Sequence, residues 1–143
     1  IYVIAATNHP ERIDKAVLRT GRIDEMVYID MPDMEARKSL FALALSKLPT
    51  EGNIDMTHLS ELTNGYNCSD ISYIVKSAAR KKFNETIKDP DGKKYGITQD
   101  VLEEIIATRS PSVTARSLRE YERVRSEFSP KDKGLKPVTI GFR

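Results

Sequence analysis

The apolar residues of this chain change their spacing at Asp33, and that change limits what the chain can fold into. Before Asp33, Ile1-Tyr2-Val3-Ile4-Ala5 and Met26 to Ile29 are short apolar runs of strand type. After it, apolar residues recur at helical spacing. Ala36, Leu40, Leu43, Ala44 and Leu48 predict a helix over 34–48, with Asp33 as N-cap and Pro49 as stop. A short helix is expected over 56–63, closed by Asn64-Gly65, and a long one over 69–88 carrying Ile71, Ile74, Val75, Ala78, Phe83 and Ile87 inward. Asp89-Pro90-Asp91-Gly92 breaks the chain. Two further helices follow Thr98 and Thr114, the first with Val101, Leu102, Ile105 and Ile106 inward, the second with Leu118, Tyr121, Val124 and Phe128.

The expected fold class is therefore mostly α. The two strands belong to the end of a parallel α/β core, and a small helical bundle follows them. Residues 1–32 form the core portion, 33–128 the helical domain and 129–143 an extended tail. A strand as apolar as Ile1–Ala6 is normally covered on both faces of a parallel sheet, so the chain reads as a piece whose upstream half supplies the rest of that sheet.

With 39% hydrophobic and 31% charged residues among 143, the composition is that of an ordinary soluble globular chain. A net charge of +2 gives no general reason to expect nucleic acid or an anionic membrane. No apolar run spans a bilayer, and no signal peptide is recognisable. Cys68 is the single cysteine, which excludes an internal disulfide and suits a cytoplasmic setting. Neither His9 nor His58 has a partner at metal spacing, so no metal site built from protein ligands is expected.

The chemistry-bearing residues cluster in two stretches. Ala6-Thr7-Asn8-His9-Pro10 and Val17-Leu18-Arg19-Thr20-Gly21-Arg22-Ile23-Asp24 set a polar amide at a strand end and then two arginines around a glycine turn. Further on stands Gly65-Tyr66-Asn67-Cys68-Ser69-Asp70-Ile71. The first stretch resembles the second region of homology of the AAA family of ATPases, close to ATNRP and LLRPGRFD. The second resembles that family's GYSGADI signature. Met31-Pro32-Asp33 with Arg37, Arg109-Ser110-Pro111-Ser112-Val113 and Tyr121-Glu122 continue the likeness, which covers residues 1 to about 128 and leans toward the katanin, spastin and valosin-containing protein branches.

The resemblance implies roles. Asn8 matches the sensor-1 residue, where an amide offers donor and acceptor to the terminal phosphate and the attacking water. Outside that motif, an Asn before Pro10 is simply a turn residue bonding its own backbone. Arg19 and Arg22 match the paired arginine fingers that reach a neighbouring subunit's nucleotide. A guanidinium is always charged, and its forked donors suit growing negative charge on phosphate. The alternative is surface pairing with Asp14, Asp24 or Glu25. Gly65, Tyr66, Cys68, Ser69 and Asp70 match the lid segment that approaches adenine and ribose. Cys68 stands where the family has glycine, and a side chain at a close backbone approach blocks the ligand or shifts the loop. Alternatively, Cys68 is a small buried hydrophobe and Asp70 a helix N-terminal charge. His9, Thr20 and Ile23 depart mildly from the pattern, and Ala44 removes a histidine some relatives place near adenine.

No G-x-x-x-x-G-K-[ST] loop and no acidic pair after a strand is present, so the piece by itself is expected neither to hydrolyse ATP nor to bind nucleotide tightly. The intact parent is expected to use ATP with Mg2+, to assemble as a homo-oligomer, a hexameric ring, and to remodel protein substrates. Two rivals are a non-catalytic helical interaction domain and the lid of a nucleic-acid-linked AAA+ machine. Lys76, Arg80, Lys81, Lys82, Lys88, Lys93 and Lys94 form a basic cluster, but interleaved acids and missing stacking aromatics make it read as a solvated helix face, so nucleic acid is not an expected partner.

Overall fold

The computed structural model describes residues 2–19, 21–88 and 96–128, so the expected turn over 89–92, the residues Lys93 and Lys94 and the tail 129–143 lie outside the described residues. The chain divides into two compact units. One contains the described residues from Met31 to Thr114, and the other those up to Asp30 together with the last helix.

The larger unit is a helical bundle of α1 (Met34–Leu45), α2 (Met56–Leu62), α3 (Cys68–Lys88) and α4 (Gln99–Ala107). Of the residues expected to punctuate these helices, Asp33 and Gly65 do so, and Asp55, which the sequence reading did not single out, caps a second helix. Asp33 caps α1, its Oδ1 accepting from Ala36 N at 2.8 Å. Asp55 caps α2 through Thr57 N and His58 N at 2.9 and 3.0 Å. Beyond α2, Gly65 turns the chain at φ +80°, in the left-handed region that costs glycine little. α1 stops four residues short of Pro49.

α1 packs on α2 and α3, and α4 on α3 and α2. Phe41, Leu59, Ile71, Ile74, Ile97 and Leu102 fill the space between them, each at most 1% exposed. Of the α1 face expected inward, Leu40, Ala44 and Leu48 pack against the core, whose deepest α1 residues are Arg37, Phe41 and Leu45, but Leu43 is 67% exposed. Leu43 is two residues from Phe41, about 200° round the helix, and so points away from the core. Phe83 and Ile87 are also exposed, at 65% and 62%.

Arg37 is buried without a carboxylate. Its Nε and Nη2 donate to Ser60 O at 3.2 and 3.0 Å, and its Nη1 donates to Pro32 O at 2.9 Å. Ser60 lies in the last turn of α2, where carbonyls lack intrahelical partners and the helix dipole favours a cation. The guanidinium thus ties the entry of α1 to the end of α2. Before α4, Ile97 pairs with Thr50 in an isolated parallel bridge, its N donating to Pro49 O and its O accepting from Glu51 N, both at 2.9 Å.

The smaller unit corrects one expectation. Neither Tyr2 to Ala6 nor Met26 to Ile29 forms a strand among the described residues. Tyr2, Ile4 and Ile29 are 100%, 96% and 85% exposed. A parallel strand exists only with neighbours to complete its ladder, and the described residues supply none. Instead a 3-10 turn runs Pro10–Arg12, and α5 (Ala115–Phe128) accompanies the segment ending at Asp30. Arg125 on α5 pairs with Asp30 at 2.9 Å and lies 5.5 Å from the Tyr28 ring centre. Burial pushes the Tyr28 phenol up, with the nearby Asp30 charge adding to it. Of the apolar residues expected inward on α5, Val124 is buried, Leu118 and Tyr121 are about two-fifths exposed, and the Phe128 side chain lies outside those described.

Candidate functional site

The sequence-predicted residues fall into two sets, Asn8, Arg19 and Arg22 in the smaller unit and Gly65 to Asp70 in the larger.

In the first set, Asn8 occupies a bend before the 3-10 turn and is exposed. The bend is held by its neighbours. His9 N donates to Thr7 Oγ1 at 2.9 Å, and His9 Nδ1 meets Glu11 Oε1 at 3.1 Å. Asn8 itself makes no side-chain hydrogen bond among the described residues, so it does not cap its own turn. Arg22 N donates to Arg19 O at 3.1 Å, closing a turn in which Gly21 takes φ +88°. No neighbouring atom would touch a Cβ at Gly21, so it is the backbone angle and not crowding that favours glycine there.

Two of the three acids that could neutralise these arginines, Asp14 and Asp24, are engaged elsewhere. Asp14 Oδ1 accepts from Ala16 N at 2.8 Å, and Asp24 Oδ1 accepts from Gly21 N at 2.7 Å. Arg22 Nη1 donates to Ala16 O at 3.0 Å, whereas the exposed Arg19 has no ion pair among the described residues. The two arginines are therefore unequal. Arg22 is tied to its own loop, and Arg19 is available to an outside anion.

In the second set, Asn67 and Asp70 form a reciprocal capping box at the start of α3. Asn67 Oδ1 accepts from Asp70 N at 2.8 Å, and Asp70 Oδ2 accepts from Asn67 N at 3.2 Å. The same Asp70 oxygen accepts from Ser112 N and Oγ at 3.2 and 3.0 Å. Asn67 Nδ2 donates to Ser112 Oγ at 2.9 Å, and the Tyr66 hydroxyl donates to Arg109 O at 2.8 Å. Burial pushes the Tyr66 phenol up, helped by the Asp70 charge. Tyr66 and Asp70 are thus buried supports that pin the loop after α4, and the alternative reading of Asp70 as a helix N-terminal charge describes its position.

Cys68 and Ser69 are exposed, and with Ser72, Tyr73 and Lys76 they line a shallow open depression on the first turns of α3. The Arg109 guanidinium lies 3.7 Å from the Tyr73 ring centre. Hydrogen bonds from Ser77 and Arg109 lower the Tyr73 phenol, as does the Arg109 charge. Sequence reasoning passed over Ser112, Arg109 and Tyr73 as site residues. Ser112 and Arg109 stand in a stretch already singled out, but nothing local links them to Asp70 or Tyr73 across some forty residues.

Two serine hydroxyls, a phenol ring and the Lys76 ammonium line the depression, and the Cys68 side chain is exposed at its rim and not a buried contact. The described residues contain no phosphate-cradling loop, and no group of three or more acidic, His or Cys side chains among them could hold a metal ion. No described helix is long and apolar enough to cross a membrane.

No protein-family model matches the chain. It is 34% identical over 136 residues, 90% of its length, to the cell division cycle protein 48 homolog of Archaeoglobus fulgidus. It is also 38% identical over 87 residues, 61% of its length, to a Plasmodium falciparum protein that carries the name of a cell division cycle ATPase. The chain spans 19% of the first protein's length and 7% of the second's. Similarity to proteins of these names supports an AAA ATPase of the Cdc48 type.

Proposed function

We propose that the chain is the later segment of an AAA ATPase module, contributing a phosphate-sensing amide, an arginine finger and the helical lid of a nucleotide site. In this reading residues 1–32 belong to the α/β core and the helical bundle from residue 33 onward is the lid. The observation that carries the proposal is the state of Arg19. It sits on a turn fixed by Gly21, is exposed, and has no ion pair among the described residues, while Asp14 and Asp24 are already engaged.

Arg19 then acts across a subunit boundary, donating to the terminal phosphate held by a neighbour, and Arg22 braces the loop through Ala16 O. Asn8 orients the attacking water from the adjoining bend. Gly65, Tyr66, Cys68, Ser69 and Asp70 shape the lid, with Cys68 and Ser69 facing the ligand and Tyr66 and Asp70 holding the backbone. ATP with Mg2+ supplies the phosphoryl chemistry in the whole protein, which assembles as a homo-oligomeric ring, a hexamer, remodels protein substrates and works in the cytoplasm. The phosphate cradle and the metal ligands come from outside this segment.

The test is steady-state ATP hydrolysis by the whole ATPase and its Arg19→Ala variant. Loss of a finger predicts a fall of about a thousandfold with nucleotide binding retained. Unchanged hydrolysis would return Arg19 to the surface.

A further inference from the structure

α3 has two opposed faces. Ile71, Ile74, Val75 and Ala78 are buried on the inner one. At about 100° per residue, Tyr73, Lys76, Arg80, Phe83 and Ile87 fall on a single outer strip about 21 Å long. All five are exposed, the three with rings or branched chains by 46%, 65% and 62% in chain order.

The strip is basic with no acid of its own. Of the two carboxylates on α3, Asp70 accepts from Asn67 and Ser112, and Glu85 pairs with Lys82 at 3.1 Å. Lys81, off the strip, pairs with Glu104 at 2.5 Å. Lys76 and Arg80, by contrast, have no ion pair among the described residues. Arg109 over the Tyr73 ring extends the positive charge at the strip's first turn.

Exposed cations alternate here with large apolar groups, so a complementary occupant must bring carboxylates and apolar side chains together. We propose that this strip is a docking surface for an acidic peptide segment, whose carboxylates pair with Lys76 and Arg80 while its apolar side chains cover Phe83 and Ile87. Three cations, Lys76, Arg80 and Arg109, confined to one end of the strip are too few to track a nucleic-acid backbone. A membrane-binding helix turns a broad apolar face outward, and the broad apolar face of α3 is buried. The proposal stands apart from the ATPase reading, since it needs no nucleotide.

The test is fluorescence anisotropy of a dye-labelled peptide of repeating Glu-Leu-Leu-Glu units, titrated with the 143-residue chain. Controls are the Gln-for-Glu peptide, a poly-dT oligonucleotide and vesicles of phosphatidylserine with phosphatidylcholine. The proposal predicts saturable, salt-sensitive binding of the acidic peptide. Affinity falls about tenfold for the Gln peptide, and about tenfold for Lys76→Glu/Arg80→Glu and for Phe83→Ser/Ile87→Ser, at unchanged helix content by circular dichroism. Absent binding, equal affinity for the two peptides, or preference for oligonucleotide or vesicles would overturn it. So would variants that dissociate a self-assembled chain without altering peptide affinity, which would assign the strip to a second copy.

Discussion

Ser112 donates both its backbone N–H and its hydroxyl to one carboxylate oxygen of Asp70, at 3.2 and 3.0 Å, across 42 positions of sequence. The same oxygen closes the capping box of α3. One side chain therefore holds both the start of the longest helix and the loop after α4.

Removing that hub leaves several partly buried donors unmatched. Asp70→Ala is expected to destabilise the chain by about 1–3 kcal/mol, and Ser112→Ala by about 1 kcal/mol, since it keeps the backbone bond to Asp70 and loses the hydroxyl's bonds to Asp70 and, in an exposed contact, from the Asn67 amide. Urea unfolding measures both. Similar small losses for the two variants would show that Asp70 is not the organising group.

Gly96 offers a purely steric test. A Cβ there would lie 2.6 Å from Glu51 N and 2.6 Å from the Thr50 carbonyl carbon, both backbone atoms next to the Thr50–Ile97 bridge. Gly96→Ala is expected to cost about 1–3 kcal/mol through overpacking, although alanine is otherwise the better residue. A thermal midpoint at or above that of the parent chain would contradict the close approach.

Asp55 couples α2 to acid. Its hydrogen bond from His58 N, and then that from Thr57 N, hold the carboxyl below its ordinary value of 3.8. A carboxyl depressed on folding stabilises the chain above its unfolded pKa, and that contribution fades as pH falls through the folded value. Asparagine caps equally well without titrating. The stability of the parent relative to Asp55→Asn is therefore expected to decline from about pH 4 downward and to be level above about pH 5. Chemical denaturation across that range reads it, and parallel profiles would count against the cap.

How much of this was legible depended on how local the signal was. Asp33 and Asn64-Gly65 act on their own backbone, and the helices begin or end where those residues require, whereas the equally local cap Asp55 drew no reading. Asn67 and Asp70 are spaced as a capping box ahead of an apolar run, yet their match to a ligand-binding signature drew the reading elsewhere. Phe83 and Ile87 were placed inward because they are apolar. Phe83 lies five residues from Ala78, about 140° round the helix, and so leaves the buried face. Strand character at Tyr2 to Ala6 was read from composition, but a strand is a relation between segments and no described segment pairs with this one. The Ser112–Asp70 and Arg37–Ser60 contacts join distant positions, which one sequence does not reveal.

If Arg19 completes a neighbour's site, as proposed, two inactive variants should rescue one another when their subunits mix. Arg19→Ala and Asn8→Ala forms of the whole ATPase are each expected to be nearly inactive. In an equimolar ring, about a quarter of the interfaces join an intact Arg19 to an intact Asn8 from the other subunit. Mixing is therefore expected to restore hydrolysis toward that fraction of the parent rate. A mixture no more active than the sum of its two components would place Arg19 and Asn8 in the same site of one subunit, or in none.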